Sequence, residues 1–223
     1  MKPIKATTHD TDALVELGRA SVQIVHDLKN QVNGLKLYAT FLRKRMERSE
    51  RPQDELETIN KIMAGLERTA TDMNTLVRFG RPLELQRQPR LDFAALLASA
   101  TEGDFAPQAN DGGHYRGDFD APLLSDALKS IHAAARGLAP KDATPTVALR
   151  REEAGAQASA PFALVEWRGL KTATDDEDIF KSFNGGAGLR LALAAKVITA
   201  HGGTVEQAAD ALRVRLPLGK DEG

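Results

Sequence analysis

Apolar residues recur at alternating intervals of three and four along the first third of the chain. The series consists of Leu14, Leu17, Ile24, Leu28, Leu35 and Leu42, with Ser21 and Gln31 in its gaps. This spacing is a heptad seam, the pattern of a long helix that packs along one side. Thr11 or Asp12 can cap its start, and the pattern predicts a helix that continues to about Arg48.

A second apolar series begins after a short break. It runs from Leu56 to Val77, has Pro52 near its first turn, and ends at the Gly80-Arg81-Pro82 stop signal. Two helices joined by a short loop form an antiparallel hairpin, which can bury only part of each apolar stripe. Two hairpins from two chains would complete a four-helix bundle, so the pattern predicts a homodimer.

The remainder of the chain mixes short alternating stretches with helical ones. Strands are expected at 83–88, 114–118, 146–151, 162–167, 204–207 and 212–216, and helices at 91–101, 120–138 and 188–201. The third and fourth strands could pair as a hairpin, and so could the last two. Short connections and antiparallel pairs indicate an α+β class. The predicted organisation is a flexible N-terminus (1–12), an all-α hairpin (13–81), an α+β sandwich domain (82–219) and a tail (220–223).

Composition excludes several functions. The 223 residues carry 30 Lys and Arg against 31 Asp and Glu, so nothing favours nucleic acid or a membrane surface as the main partner. The absence of cysteine excludes disulfides, thiolate metal sites and a cysteine nucleophile. No apolar run reaches membrane-spanning length, and residues 1–12 lack the apolar core of a signal peptide. We therefore expect a soluble cytoplasmic protein.

A histidine with chemically suitable neighbours lies off the apolar seam of the first helix. Asn30 follows His26 by one helical turn, Asp27 is adjacent, and Lys29 borders the patch. A neutral imidazole nitrogen accepts phosphoryl groups near pH 7, and a carboxylate beside it can hold the ring's other N–H. An amide can bind a phosphoryl oxygen or orient water, and a lysine can neutralise the transferred charge. A solvated surface histidine is the alternative.

Residues 21–30, with the sequence Ser-Val-Gln-Ile-Val-His-Asp-Leu-Lys-Asn, resemble the H-box of sensor histidine kinases. The resemblance implies that His26 is the phosphoacceptor and that Asp27 is the general base of autophosphorylation. It also implies that Asn30 acts in dephosphorylation of the response regulator. The family usually has Pro at the next position, where this chain has Gln31. The hairpin as a whole resembles the dimerisation and phosphotransfer domain of this family.

The C-terminal part resembles the ATP-binding domain of the same kinases. Residues 179–183 are similar to the F-box, and Gly185-Gly186-Ala187-Gly188 with the helix that follows is similar to the G2 box. If a nucleotide binds, Gly185, Gly186 and Gly188 would cradle its phosphates. The kinases have a long ATP lid between these two boxes, but here only one residue separates Phe183 from Gly185.

Two further nucleotide determinants of the family are missing. The N-box falls on the helix at 120–138, where its first Asn aligns with Ser130 and its Mg²⁺-binding Asn with Ala134. The adenine-reading Asp aligns with Trp167, which has only an N–H donor. The acidic residues at 175–178 are expected to form a solvated turn. We therefore expect no metal and no ATP on this chain, and the three glycines then form only a tight turn before a helix.

The other histidines and Trp167 have structural interpretations. His132 lies in an apolar helix and is expected to be a satisfied core histidine, while Trp167 is expected in the core or at a domain interface. His201 precedes Gly202-Gly203 at a helix end, where an imidazolium and glycine are both favourable.

These observations predict a dimeric histidine phosphotransferase with kinase-like architecture. His26 would accept a phosphoryl group from an aspartyl phosphate of one receiver domain and pass it to another, with Mg²⁺ held by the receiver. Lys29, Gln31 and Asn33 would border the receiver contact. Three alternatives stay open: a divergent autokinase, a phosphatase in which Asn30 positions water, and a non-enzymatic adaptor that binds receivers.

Overall fold

The computed structural model describes residues 8–47, 53–105, 115–152, 160–171, 178–181, 183 and 185–219. The side chains at 8–24, 26, 27, 53 and 185 lie outside this description, although their backbone belongs to helices. The chain divides into two compact units, Met1–Pro82 and Leu83–Gly223, which are referred to below as the hairpin unit and the α+β unit.

The hairpin unit contains the two predicted helices, α1 at Thr8–Glu47 and α2 at Gln53–Gly80. Helix α1 begins inside the segment that was expected to be a flexible N-terminus. Only residues 48–52 connect the two helices, and the helices pack against each other, so they are antiparallel. An ion pair between Lys36 Nζ and Glu67 Oε1, 2.9 Å apart, links them on the outside. None of the described helices is long and apolar enough to cross a membrane.

The α+β unit contains three helices and six strands among its described residues. They are β1 (Gln88–Asp92), α3 (Phe93–Ala100), β2 (Arg116–Phe119), α4 (Ala121–Leu138), β3 (Thr146–Glu152), β4 (Phe162–Arg168), α5 (Gly185–Ala200), β5 (Thr204–Ala208) and β6 (Ala211–Pro217). β1 pairs with β2, and the other strands form an antiparallel sheet in the order β3-β4-β6-β5. The predicted α+β class and both predicted hairpins, β3-β4 and β5-β6, are confirmed.

Aspartate side chains begin two of the helices in this unit. Asp92 accepts hydrogen bonds from the backbone N–H groups of Ala94 and Ala95 at the start of α3. Asp120 accepts one from the N–H of Leu123 at the start of α4. These caps satisfy N–H groups that have no partner within the helix, which fixes both helix starts.

One face of the four-stranded sheet packs against the helices. Its inward residues alternate along the strands and are buried: Val147, Leu149, Ala163, Val165, Trp167, Leu212, Val214 and Leu216. They share one apolar core with residues of α3, α4 and α5, among them Leu97, Leu128, Ile131 and Ile198. The alternate residues of the same strands point away from this core.

The predicted strand at 83–88 is wrong, because the first strand is β1 at Gln88–Asp92. Hydrogen bonds to other elements hold the segment before it instead of a strand partner. The backbone N–H of Gln86 donates to Asp120, and the guanidinium of Arg87 donates to the carbonyl of Ala200 at 3.0 Å. The expected tail at 220–223 and the acidic residues 175–177 lie outside the described residues.

Candidate functional site

Position 26 lies in the N-terminal half of the 40-residue helix α1. The side chains of His26 and Asp27 are outside the described residues, so helical geometry has to define their surroundings. At 100° per residue, position 26 shares a face with positions 30, 33, 37 and 41. Asn30, Asn33, Leu37 and Phe41 are all exposed. We call this the His26 face.

A second face of α1 packs on α2. Its residues are buried or half-buried and follow heptad spacing: Val25, Lys29, Val32, Lys36, Ala39, Arg43 and Met46. On α2 the contact includes Ile59, which is buried. The pairing within the hairpin therefore does not use the apolar seam that the sequence shows most clearly.

The apolar seam lies on the third face of α1, and its C-terminal part is exposed to solvent. Leu28 is 42% exposed, and Leu35 and Leu42 are each 54% exposed. Gln31 and Tyr38 occupy the intervening positions and are exposed as well. We call these five residues the seam face.

The structure separates the residues that were expected to border the receiver contact. Asn33 shares the His26 face, Lys29 is half-buried on the face toward α2, and Gln31 belongs to the seam face. Sequence reasoning missed Leu37 and Phe41, which continue the His26 face with exposed apolar surface. Their spacing from His26, 11 and 15 residues, was the signal that could have identified them.

A cleft of about 370 Å³ lies between α4 and the N-terminal part of α5 in the α+β unit. Its lining comprises Ser130, Ala133, Ala134, Gly137, Leu138, Ile179, Ala187, Gly188, Arg190 and Leu191. Ser130 and Ala134, the positions expected to align with the N-box, line this cleft together with Ala187 and Gly188. None of the described lining residues carries a carboxylate or a carboxamide, and the Ser130 hydroxyl donates to the carbonyl of Asp126.

Trp167, which aligns with the adenine-reading position, lies in the core and does not line the cleft. It is fully buried, and its Nε1–H donates to Nδ1 of His132 at 3.2 Å. The other ring nitrogen of His132 lies 3.2 Å from the Asp104 carboxylate, outside hydrogen-bonding geometry. Burial lowers the pKa of His132, although the charge of Asp104 opposes this shift. The core positions predicted for Trp167 and His132 are confirmed.

His201 is neutral, so the expectation of a helix-end cation is wrong. The residue is buried just after α5, where its Nε2 accepts a hydrogen bond from the backbone N–H of Asp120 at 3.0 Å. Its Nδ1 lies 2.8 Å from the carbonyl of Val197 and donates to it. Burial lowers the pKa of His201, against the opposing effect of the Val197 carbonyl. Both nitrogens are committed, and protonation would break the bond to Asp120.

Among the described residues, no group of three or more His, Cys, Asp or Glu side chains is arranged to hold a metal ion.

Neither a protein-family model nor a curated protein matches this chain. Among solved structures, the Acinetobacter baumannii histidine kinase AdeS is similar over 87% of this chain and 98% of its own, with a TM-score of 0.50 and 18% identity. The mycobacterial sensor histidine kinase MprB matches 59% of this chain and 97% of its own, with a TM-score of 0.42 and 17% identity.

A third similar structure is the histidine kinase domain of the Erythrobacter litoralis EL346 blue-light activated kinase. It covers 83% of this chain and 96% of its own, with a TM-score of 0.40 and 13% identity. At these identities the matches report on architecture, and the AdeS match carries the assignment. The chain therefore has the fold of a sensor histidine kinase, a helical hairpin followed by an α+β unit.

Proposed function

We propose that this protein is a histidine phosphotransferase of a two-component phosphorelay. His26 receives a phosphoryl group from an aspartyl phosphate of one receiver domain and passes it to the aspartate of another. The observation that carries the proposal is the pairing of an H-box on an exposed helix face with a cleft whose described lining residues offer no carboxylate or carboxamide to magnesium. The first part supports phosphoryl acceptance, and the second argues that ATP is not the source.

The transfer needs only groups of His26, Asp27 and the receiver. One imidazole nitrogen attacks phosphorus, an N–P bond forms, and the P–O bond to the receiver aspartate breaks. The aspartate leaves with the bonding electron pair as a carboxylate. The other ring nitrogen releases its proton toward the carboxylate of Asp27, which keeps the phosphohistidine neutral at the ring. Asn30, one turn along the exposed face, is suited to bind a phosphoryl oxygen.

The His26 face offers a receiver both polar and apolar contacts. Asn30 and Asn33 lie near the phosphoacceptor, while Leu37 and Phe41 are 54% and 59% exposed further along the helix. Exposed apolar side chains next to a polar patch are typical of protein interaction sites. We infer that the receiver docks on this face and that Leu37 and Phe41 supply most of its apolar contact.

The cleft between α4 and α5 does not fit a magnesium nucleotide. Mg²⁺ requires oxygen ligands, and the position that supplies one in the kinases is Ala134. The adenine amino group requires an acceptor, and the aligned Trp167 is buried in the core with its N–H turned to His132. We infer that the α+β unit does not bind ATP and that the receiver supplies the Mg²⁺.

We further propose that two hairpins associate through the seam face. Leu28, Leu35 and Leu42 are about half exposed in a single chain, and on α2 Ile62 and Leu76 are 49% and 40% exposed. A second copy of the hairpin would bury these side chains in a four-helix bundle. Their heptad spacing supports helix-on-helix packing and not an irregular contact.

Phosphoryl transfer from a receiver tests the proposal directly. The full-length protein is mixed with each ³²P-labelled receiver of the same organism, and with Mg²⁺-[γ-³²P]ATP in a parallel reaction. We expect rapid acid-labile labelling from at least one receiver, no labelling from ATP, and no label on His26→Ala or His26→Gln. Lys141→Gln, an exposed change in the α+β unit, is the matched control and should label normally.

Each alternative has its own outcome in this experiment. Labelling from ATP would establish an autokinase and contradict the proposal. Loss of receiver phosphate without label on the protein, abolished by Asn30→Ala but not by His26→Ala, would establish a phosphatase. Stable receiver binding without any phosphoryl movement would leave only the adaptor function.

A further inference from the structure

The outer face of the four-stranded sheet carries four arginines around one buried carboxylate. Arg150 is on β3, Arg168 on β4, and Arg213 and Arg215 on β6; their side chains are 40–55% exposed. Glu166, at the centre on β4, has a side chain that is only 2% exposed. We call this group the arginine platform, and it plays no part in the phosphotransfer proposed above.

Three of the arginines bind Glu166 directly. Arg213 Nε donates to Oε1 at 2.9 Å, and the Nη2 groups of Arg150 and Arg168 both donate to Oε2. Burial alone would raise the pKa of Glu166, but the hydrogen bonds from Arg213 and Arg168 and the charge of Arg150 outweigh it and lower the pKa. One negative charge is therefore shared by three guanidinium groups. Because Glu206 pairs with Arg213 and Glu152 with Arg215, the four arginines exceed the three glutamates by one positive charge.

Fold stability is a weak explanation for this arrangement. A buried ion cluster must repay the desolvation of its charges, and apolar residues at such positions commonly stabilise a fold equally well. Glu166 holds each guanidinium by one edge, and each side chain remains about half exposed. An arginine whose orientation is already fixed loses less conformational entropy when it binds a carboxylate.

The platform extends across three strands. Arg150 on β3 and Arg215 on β6 both pair in register with Leu164 of the central strand, so their backbones are about 10 Å apart. Arg215 also lies 5.1 Å from the ring centroid of Phe162. Guanidinium groups spaced across several strands suit the distributed carboxylates of a polypeptide better than one small anion.

We propose that the arginine platform binds an acidic segment of a partner protein. Charge complementarity selects this occupant. The excess positive charge lies at Arg150 and Arg168, because these two arginines share the single carboxylate of Glu166. Glu152 and Glu206 flank the platform and pair with Arg215 and Arg213, which disfavours the continuous negative backbone of a nucleic acid. The net charge of the chain, −1, likewise does not favour a nucleic acid as the partner.

A fluorescein-labelled dodecaglutamate peptide is the probe, and its binding to the full-length protein is measured by fluorescence anisotropy at low and high salt. We expect Arg150→Gln/Arg168→Gln to weaken binding about tenfold. Lys44→Gln/Arg45→Gln also removes two exposed charges, in the hairpin unit, and should leave binding within about twofold. Equal loss in both double variants would overturn the proposal.

Two further measurements guard against misleading results. The double variant leaves Glu166 with only Arg213 of its three arginine partners. The triple variant Glu166→Gln/Arg150→Gln/Arg168→Gln, which removes that carboxylate as well, should lose binding to the same extent and still show a cooperative unfolding transition in urea. A fluorescein-labelled single-stranded oligonucleotide of twelve phosphates should bind more weakly than the peptide. Tighter binding of the oligonucleotide, sensitive to the same arginines, would overturn the choice of an acidic protein as the partner.

Discussion

The two units of this protein differ in how far they bury their large apolar side chains. Among the described residues, eight large apolar side chains are exposed in the hairpin unit, and Phe183 is the single such residue in the α+β unit. The α+β unit instead buries its large residues completely, as at Trp167, Leu128 and Ile131. Among the described residues, the α+β unit has an apolar core of its own, whereas the hairpin unit exposes large apolar side chains.

This difference indicates that the two units have different roles. In the hairpin unit, the proposed phosphoacceptor and the proposed receiver contact share the His26 face, while the proposed dimer contact lies on the seam face. In the α+β unit, the cleft between α4 and α5 is lined by residues such as Ala134, Gly137 and Leu138, which carry no polar side chain.

The largest effect should come from placing charge on the seam face. Leu35→Asp/Leu42→Asp would put four carboxylates into the proposed dimer contact, and we expect the dimerisation constant to fall at least about a hundredfold. Sedimentation equilibrium of the full chain measures it. Leu37→Asp is the matched control, because Leu37 is exactly as exposed as Leu35 at 54% but lies on the His26 face. Dissociation of the control, or an intact dimer in the double variant, would contradict the assignment of faces.

A substitution in the core of the α+β unit should lower the free energy of unfolding more than a substitution on the exposed surface of the hairpin unit. Trp167→Phe leaves Nδ1 of His132 without its donor and opens a small cavity, so the free energy of unfolding should fall by about 2–3 kcal/mol. Tyr38→Phe, on the 68% exposed side chain of the seam face, should change it by less than about 0.5 kcal/mol. Urea unfolding of both variants makes the comparison, and similar effects would contradict it.

The His26 face can be tested separately from the seam. Leu37→Asp and Phe41→Ala should each weaken receiver binding about tenfold and slow labelling at low receiver concentration, with little change at saturation. Isothermal titration calorimetry with the cognate receiver gives the affinity. If Leu35→Ala weakens binding as much as Phe41→Ala does, the receiver contact does not belong to the His26 face.

The smallest expected effect is a pH dependence confined to the α+β unit. Burial lowers the pKa of His132 and of His201 from the ordinary histidine value of 6.5. Near and below pH 6.5 the native state therefore binds fewer protons than the unfolded chain. The free energy of unfolding should therefore fall as the pH decreases from 7.5 through 6.5, and continue to fall until the lowered pKa values are reached.

Urea unfolding at pH 7.5, 6.5 and 5.5 measures this slope. His132→Gln and His201→Gln should each flatten it, because each variant removes one group that binds a proton only after unfolding. A slope that neither variant changes would mean that other groups cause the pH dependence.

Much of the fold could be predicted from local patterns. Heptad spacing and the Gly80-Arg81-Pro82 stop identified both helices of the hairpin to within a few residues of Thr8–Glu47 and Gln53–Gly80, apart from the longer N-terminal end. Alternation identified β3 and β4 and their pairing. The segment at 83–88 was misread because its alternation resembles a strand, while distant side chains decide its conformation.

The resemblance of residues 21–30 to an H-box, the helix phase of His26 and the alanine at position 134 could all be read before the fold was known, because they depend on residue identity and local spacing. Which face of α1 packs on α2 could not be predicted in this way. Periodicity gives the angle of a side chain about its helix but not the surface that covers it. The neutral state of His201 and the arginines around Glu166 likewise depend on residues far apart in sequence, whose burial and contacts exist only in the folded chain.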